Sequence, residues 1–270
     1  MVDFENSPHY DVNDLRRLIS LLRGPGGCPW DSEQTHESIR RNLLEEAYEA
    51  AEAIDEGNMD HLLEELGDVL MQVIFHADIA EKSGTFNLDD ISDATCRKLI
   101  RRHPHVFGEV KANNGAESLA FWEDIKREEK SQDTVSETMD SVAKSLPALW
   151  RAEKIQKKAA KAGFDWTDHT GAMESLQTEI VELQNAIASG SGVEEELGDL
   201  IFSAVNVARF FDIDPENALG QSCDKFTERF RWVEKTARDS NRDLGEMTLD
   251  EMEELYQQAK IALKTGETVT

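Results

Sequence analysis

The stretch Leu62-Leu63-Glu64-Glu65-Leu66-Gly67-Asp68-Val69-Leu70-Met71-Gln72-Val73 decides the fold class. Its apolar residues recur at threes and fours: Leu62, Leu66, Val69, Leu70, Val73 and then Ala77. The preceding stretch repeats the spacing with Leu43, Ala47, Ala50, Ala51 and Ile54. Across the 270 residues Gly is sparse outside turns, there are only 6 Pro, and alternating β-branched runs are missing. The chain therefore reads as all-α. Punctuation is clear at three places. Gly57-Asn58 and Gly84-Thr85 end two helices, and residues 24–30 (G-P-G-G-C-P-W) form a loop. Asp31 with Gln34 resembles a capping box, which predicts a helix start near Ser32.

Working outward, Glu65-Leu66-Gly67-Asp68 returns as Glu196-Leu197-Gly198-Asp199. Upstream, Glu46-x-x-Glu49 matches Glu179-x-x-Glu182; downstream, Lys98-x-x-x-Arg102 matches Lys225-x-x-x-Arg229. Two tandem copies of one helical unit of ~110 residues follow from this period. The expected organisation is a first repeat over residues 1–130, a polar linker over 131–148, and a second repeat over 149–270.

Composition narrows the partners. With 29 Lys plus Arg against 55 Asp plus Glu, the formal charge is −26, which argues against direct nucleic-acid binding through phosphates. A single nucleotide is another matter, because bound divalent cations reverse the local sign of a site. No apolar run reaches the ~18–20 residues of a membrane span, and the N-terminus has no signal-peptide character. Cys28, Cys96 and Cys223 lie far apart without a C-x-x-C, which fits a reducing cytoplasm and disfavours Cys-based zinc.

The carboxylates acquire meaning from their position. At ~100° per residue, Glu46 and Glu49 fall at one edge of the apolar stripe of their helix. Glu65 and Asp68, Glu179 and Glu182, and Glu196 and Asp199 fall at the same edge of theirs. If the two helices of a unit lie antiparallel through those stripes, four carboxylates converge. Such a cluster repels itself unless it takes up protons or a cation, and all-oxygen ligands favour Mg²⁺ or Mn²⁺ over zinc. Many helix flanks merely carry charge, but the matching second copy argues for a metal site. The i,i+4 cation pairs Lys98/Arg102 and Lys225/Arg229, recurring after each cluster, read as phosphate anchors of a polyphosphate site. A di-iron bundle needs two E-x-x-H motifs, whereas the single Glu33-to-His36 spacing lies outside the cluster. Gly67 and Gly198, costly in mid-helix, are expected to mark a close helix contact. His103-Pro104-His105 reads as a helix-ending turn, and Trp30 and Trp166 as core or loop anchors.

With those residues in hand, the sequence resembles the MazG-type nucleoside triphosphate pyrophosphohydrolases of the two-repeat bacterial kind. The likeness rests on G-G-C-P-W-D-S-E-Q-T (26–35), L-L-E-E-A-Y-E (43–49), E-E-L-G-D (64–68), R-R-H-P-H-V-F (101–107), K-A-G-F-D-W (161–166) and E-E-E-L-G-D-L (194–200). It implies an all-α homodimer with four-helix-bundle cores built from both subunits, and Mg²⁺-dependent hydrolysis of an NTP or dNTP to the monophosphate and pyrophosphate. Carried over, Glu179, Glu182, Glu196 and Asp199 hold the metal, and Lys225 and Arg229 the phosphates. Glu46, Glu49, Glu65 and Asp68 match the same ligand pattern in the first repeat. The resemblance implies catalysis in the second repeat, as in two-repeat relatives generally; Asn206, expected to hydrogen-bond substrate and matched by Phe75 in the first repeat, points the same way, although Glu45, where the second has Thr178, speaks for the first. Two other readings stay open: an acidic adaptor or divalent-ion buffer without catalysis, and a related enzyme narrowed to dUTP or phosphoribosyl-ATP.

Overall fold

A computed structural model describes Phe4, residues 6–130 and residues 132–265. It contains helices and no strand among the described residues. The chain divides into two compact units, Met1–Lys126 and Arg127–Thr270. The first is built from α1 (Val12–Leu22), α2 (Pro29–Glu33), α3 (Arg40–Glu56), α4 (Met59–Lys82), α5 (Leu88–Arg102), α6 (Pro104–Phe107) and most of α7 (Gly115–Glu129). The second holds α8 (Val135–Asp140), α9 (Ala148–Lys161), α10 (His169–Ser189), α11 (Val193–Phe210), α12 (Pro215–Asp239), α13 (Leu249–Ala262) and two short 3₁₀ turns. Inside the stretch read as a polar linker, α8 forms behind a Thr134/Glu137 capping box and packs on α9.

Each unit is organised around one helical hairpin, α3–α4 or α10–α11. Gly57 (φ 67°) and Gly190 (φ 71°) end the first helix of each pair in the left-handed conformation that glycine adopts without strain. Asn58 then caps α4 by accepting from the His61 amide. α11 lacks a side-chain cap; Glu194, Glu195 and Glu196 occupy its first turn, where the helix dipole favours negative charge. α1 lies against α4, and Ile19, Ile39, Ile74 and Phe75 form the buried core there, flanked by Leu15, Met71, Ile79 and Leu88. In the second unit α9 packs on α11 and α12, and α13 packs on α12.

Three expectations are corrected. The segment after Cys28 does not start a helix at Ser32: Pro29 opens the one-turn α2, which ends at Glu33, and α3 starts only at Arg40. Proline at the first helical position has its φ preset and no amide to satisfy. Gly67 and Gly198 mark no close contact, because a Cβ at either would meet nothing within 4 Å. Nor do the hairpins close through the centres of their apolar stripes. Glu65, Gln72, Ala50 and Ala53 are buried, while Ile54, Leu66 and Leu70 are exposed, as are Ile187, Leu197 and Ile201 in the second unit. The small Ala50 and Ala53 let α3 approach α4 along its acidic edge, which leaves much of each stripe uncovered within the chain.

Candidate active site

The acidic edge is thus where the helices of each hairpin meet. In the first unit, ligand atoms of Glu46, Glu49 and Glu65 all lie within 4.8 Å of one another. In the second, those of Glu179, Glu196 and Asp199 do the same. The remaining expected members, Asp68 and Glu182, belong electrostatically to the same clusters. The Glu46 carboxyl is pushed above its usual range by burial and then by the charges of Asp68, Glu49 and Glu65. Glu179 is raised by burial and by Glu182, Asp199 and Glu196, and Glu196 by burial and by Glu182 and Asp199. Each unit therefore gathers four carboxylates whose negative forms penalise one another.

These residues fit a divalent cation. Oxygen ligands from two helices lie within 4.8 Å of one another, and Glu65 Oε2 is buried without a hydrogen-bond partner. Glu65 Oε1 is engaged instead, by His61 Nε2 at 3.1 Å; the other His61 nitrogen faces Glu56 at 3.7 Å.

The structure places the expected cations less uniformly. Lys98 lies exposed on α5, whereas Arg102 is buried with its guanidinium 4.9 Å from the Trp122 ring centroid. Lys225 is exposed on α12, and the Arg229 guanidinium stands 5.8 Å from the Tyr256 ring. Asn206 sits on α11 with its Oδ1 accepting from Arg209 Nε at 2.9 Å. Arg209 in turn makes a two-pronged pair with Asp165 (2.8 and 2.5 Å), which holds that carboxyl below its usual range. The Asn206 amide nitrogen is thereby oriented by a fixed oxygen. Trp30 is 60% exposed, so it is not a core anchor. Trp166 lies against Gly171, where an added Cβ would stand 2.2 Å from its ring.

Several groups beside the clusters escaped the sequence pattern. Gln72 is buried, and its side chain favours the charged form of Glu46 against the burial and repulsion that raise that carboxyl. The His36 and His76 rings lie nearly parallel with centroids 5.1 Å apart and meet edge to edge through their Nδ1 atoms at 2.8 Å. Arg23 reaches Asp78 at 2.7 Å, donates to the Asp31 and Gln34 carbonyls, and so ties the loop after α1 to α4. For Gln72 and His76 a signal existed: counted from Glu65 at ~100° per residue, both fall on the acidic edge. The Arg23–Asp78 pairing joins residues on different helices and has no local pattern.

A fold of two tandem helical hairpins, each carrying a four-carboxylate cluster, defines a class of all-α acidic-site proteins. The profile of the MazG nucleotide pyrophosphohydrolase domain matches this chain twice, over residues 34–107 and 167–234. The nucleoside triphosphate pyrophosphohydrolase/pyrophosphatase MazG of Thermotoga maritima is 44% identical over 247 residues, covering 92% of this chain and 94% of its own. The nucleoside triphosphate pyrophosphohydrolase of Escherichia coli K12 is 43% identical over 257 residues, covering 92% and 98%. An uncharacterized Bacillus subtilis protein, YabN, is 46% identical over 255 residues; the match takes in 93% of this chain but 52% of that protein, about half its length. The chain belongs to the MazG nucleotide pyrophosphohydrolase family. Both matched segments contain a complete carboxylate set and the cation pair that follows it.

Proposed function

We propose that Glu179, Glu182, Glu196 and Asp199 hold Mg²⁺, with Mn²⁺ as a substitute, and that an NTP or dNTP is hydrolysed there to the monophosphate and pyrophosphate. As a member of its family the chain is a nucleoside triphosphate pyrophosphohydrolase, a hydrolase acting on a phosphoanhydride bond. The observation that carries the metal reading is the convergence of Glu179, Glu196 and Asp199 oxygens within 4.8 Å of one another.

Bound there, a divalent cation supplies positive charge against the charge that develops on the α-phosphoryl and pyrophosphate oxygens. The chain's own residues do the rest. Water oxygen adds to the α-phosphorus as the bond to the α–β bridging oxygen breaks, and pyrophosphate leaves with that electron pair. One carboxylate of the cluster orients the water and takes its proton, which then passes to solvent. Lys225 and Arg229 neutralise the phosphates, and the Asn206 amide nitrogen donates to the substrate. Lys98, exposed on α5, has the corresponding role in the first repeat, where Glu46, Glu49, Glu65 and Asp68 hold the same ion.

The working form is a homodimer, because the uncovered apolar stripes of α3, α4, α10 and α11 need a partner. No helix among the described residues is long and apolar enough to cross a membrane. The free thiols of Cys28, Cys96 and Cys223 fit a cytoplasmic setting. Chromatography of a nucleotide panel with Mg²⁺ tests the activity: monophosphate plus pyrophosphate is expected, abolished by EDTA. Diphosphate plus orthophosphate, or turnover insensitive to EDTA, overturns the mechanism.

A further inference from the structure

Three buried polar atoms on one edge of α4 lack hydrogen-bond partners: Glu65 Oε2, Gln72 Oε1 and His76 Nε2. Glu65 is 8% exposed and Gln72 6%, so neither is served by bulk water. At a rise of 1.5 Å per residue, Gln72 stands roughly 10 Å along the helix from Glu65, and His76 roughly 6 Å further. Buried polar groups are normally satisfied, so a row of three calls for a ligand that is itself polar and elongated. The row starts inside the carboxylate cluster, since Glu65 is one of its members. It ends at a pair of imidazoles, His36 and His76, whose ring planes are 8° apart and whose Nδ1 atoms meet edge to edge at 2.8 Å.

Among the described residues α11 of the second repeat carries no such row; Gln156 Oε1, on α9, is buried without a partner there while its Nε2 donates to the Phe202 carbonyl. The residues of that repeat one turn beyond the carboxylates are Ser203 on α11 and Ser175 on α10, whose hydroxyls lie 3.4 Å apart and serve each other. The position matching His76 is Val207. The two repeats thus share the metal-binding pattern and differ in what lies next to it.

We propose that the first repeat is a second nucleotide site, in which Glu46, Glu49, Glu65 and Asp68 take the metal–triphosphate end. Gln72 Oε1 then accepts a hydrogen bond from a donor on the nucleoside, and the His36–His76 pair closes the nucleoside end. This rests on the reading that the carboxylate clusters handle metal-bound triphosphates. A metal ion or inorganic phosphate alone is too short to reach from Glu65 to His76, whereas a nucleoside attached to a polyphosphate is not. Gln72 Oε1 can only accept, so its partner is a sugar hydroxyl or a ring or exocyclic N–H of the base.

The test uses the full chain carrying Glu196→Gln and Asp199→Asn, so that the second site is disabled, and titrates α,β-methylene ATP with Mg²⁺ by calorimetry. One nucleotide per chain is expected to remain bound. Adding Gln72→Leu is expected to weaken that binding about ten-fold, the equivalent of one lost hydrogen bond, while leaving inorganic tripolyphosphate with Mg²⁺ unchanged. His76→Leu is an independent second variant with the same expected split. Loss of all nucleotide binding in the Glu196→Gln/Asp199→Asn chain, with circular dichroism intact, overturns the proposal. So does a Gln72→Leu penalty that is equal for tripolyphosphate, which means that Gln72 only steadies Glu46, or no penalty for either ligand. None of these outcomes bears on hydrolysis by the unaltered protein, which is scored separately by its products.

Discussion

Arg23 offers a quantitative test of how the first unit is held together. Its side chain is 5% exposed and that of Asp78 8%, with 2.7 Å between Nε and Oδ2. Breaking a buried ion pair by deleting one partner costs about 3–5 kcal/mol, because the other charge stays buried. Lys82 touches the same Asp78 oxygen at 2.7 Å from a half-exposed position, which moderates the loss. Arg23 also lies 4.5 Å over the Phe75 ring and donates to the Asp31 and Gln34 carbonyls, and those contacts go too. Arg23→Met is therefore expected to destabilise the first unit by about 3–4 kcal/mol. For a unit of this size that lowers its melting temperature by roughly 10 °C or more. Scanning calorimetry should show the transition of the first unit moving while that of the second stays, since each unit has its own core. Arg23→Met with Asp78→Leu should recover most of the loss, because an apolar pair replaces the stranded charge. A single variant costing under about 1 kcal/mol, or a double variant worse than the single, would refute this reasoning.

Turnover should separate the repeats: Glu196→Gln with Asp199→Asn is expected to lower kcat at least about a hundredfold, whereas Glu65→Gln with Asp68→Asn leaves a substantial part. If the first-repeat variant were the dead one, the assignment to the second repeat fails. The pH dependence follows from Glu46, Glu179 and Glu196, whose carboxyls are raised in the fold above the usual 4.5. A raised carboxyl binds its proton more tightly folded than unfolded, so its stabilising contribution is present below 4.5 and disappears as pH rises through the raised value. Metal-free protein should accordingly gain thermal stability on going from about pH 7 to about pH 5, and Mg²⁺-loaded protein should lose it as protons displace the ion; parallel curves with EDTA and with Mg²⁺ would contradict the cluster. Glu251 acts in the opposite sense: its carboxyl, lowered to about 2 by the Thr248 amide and Arg242, stabilises above 4.5 and is lost as pH falls toward 2. Light scattering at micromolar concentration should give twice the mass of one chain; the mass of a single chain would refute the dimer.

The sequence by itself determined the helical class, the duplication and the membership of each acidic cluster. All three are properties of spacing along one helix: apolar residues at threes and fours, Glu65 and Asp68 one turn apart, and the same pattern again at Glu196 and Asp199. Left-handed Gly57 and Gly84 were legible for the same local reason. Only the tertiary structure decided which side of each stripe is covered. Ile54 and Leu66 look as buried in sequence as Ala50, yet they are exposed, because α3 and α4 approach along the edge where the small alanines lie. It also decided that Arg102 lies under Trp122 and that Arg23 finds Asp78. Spacing along a helix is set by its 3.6-residue turn, but the partner of a side chain on another helix depends on how two helices are rotated against each other. No single segment carries that rotation, which the whole unit settles by burying what it can.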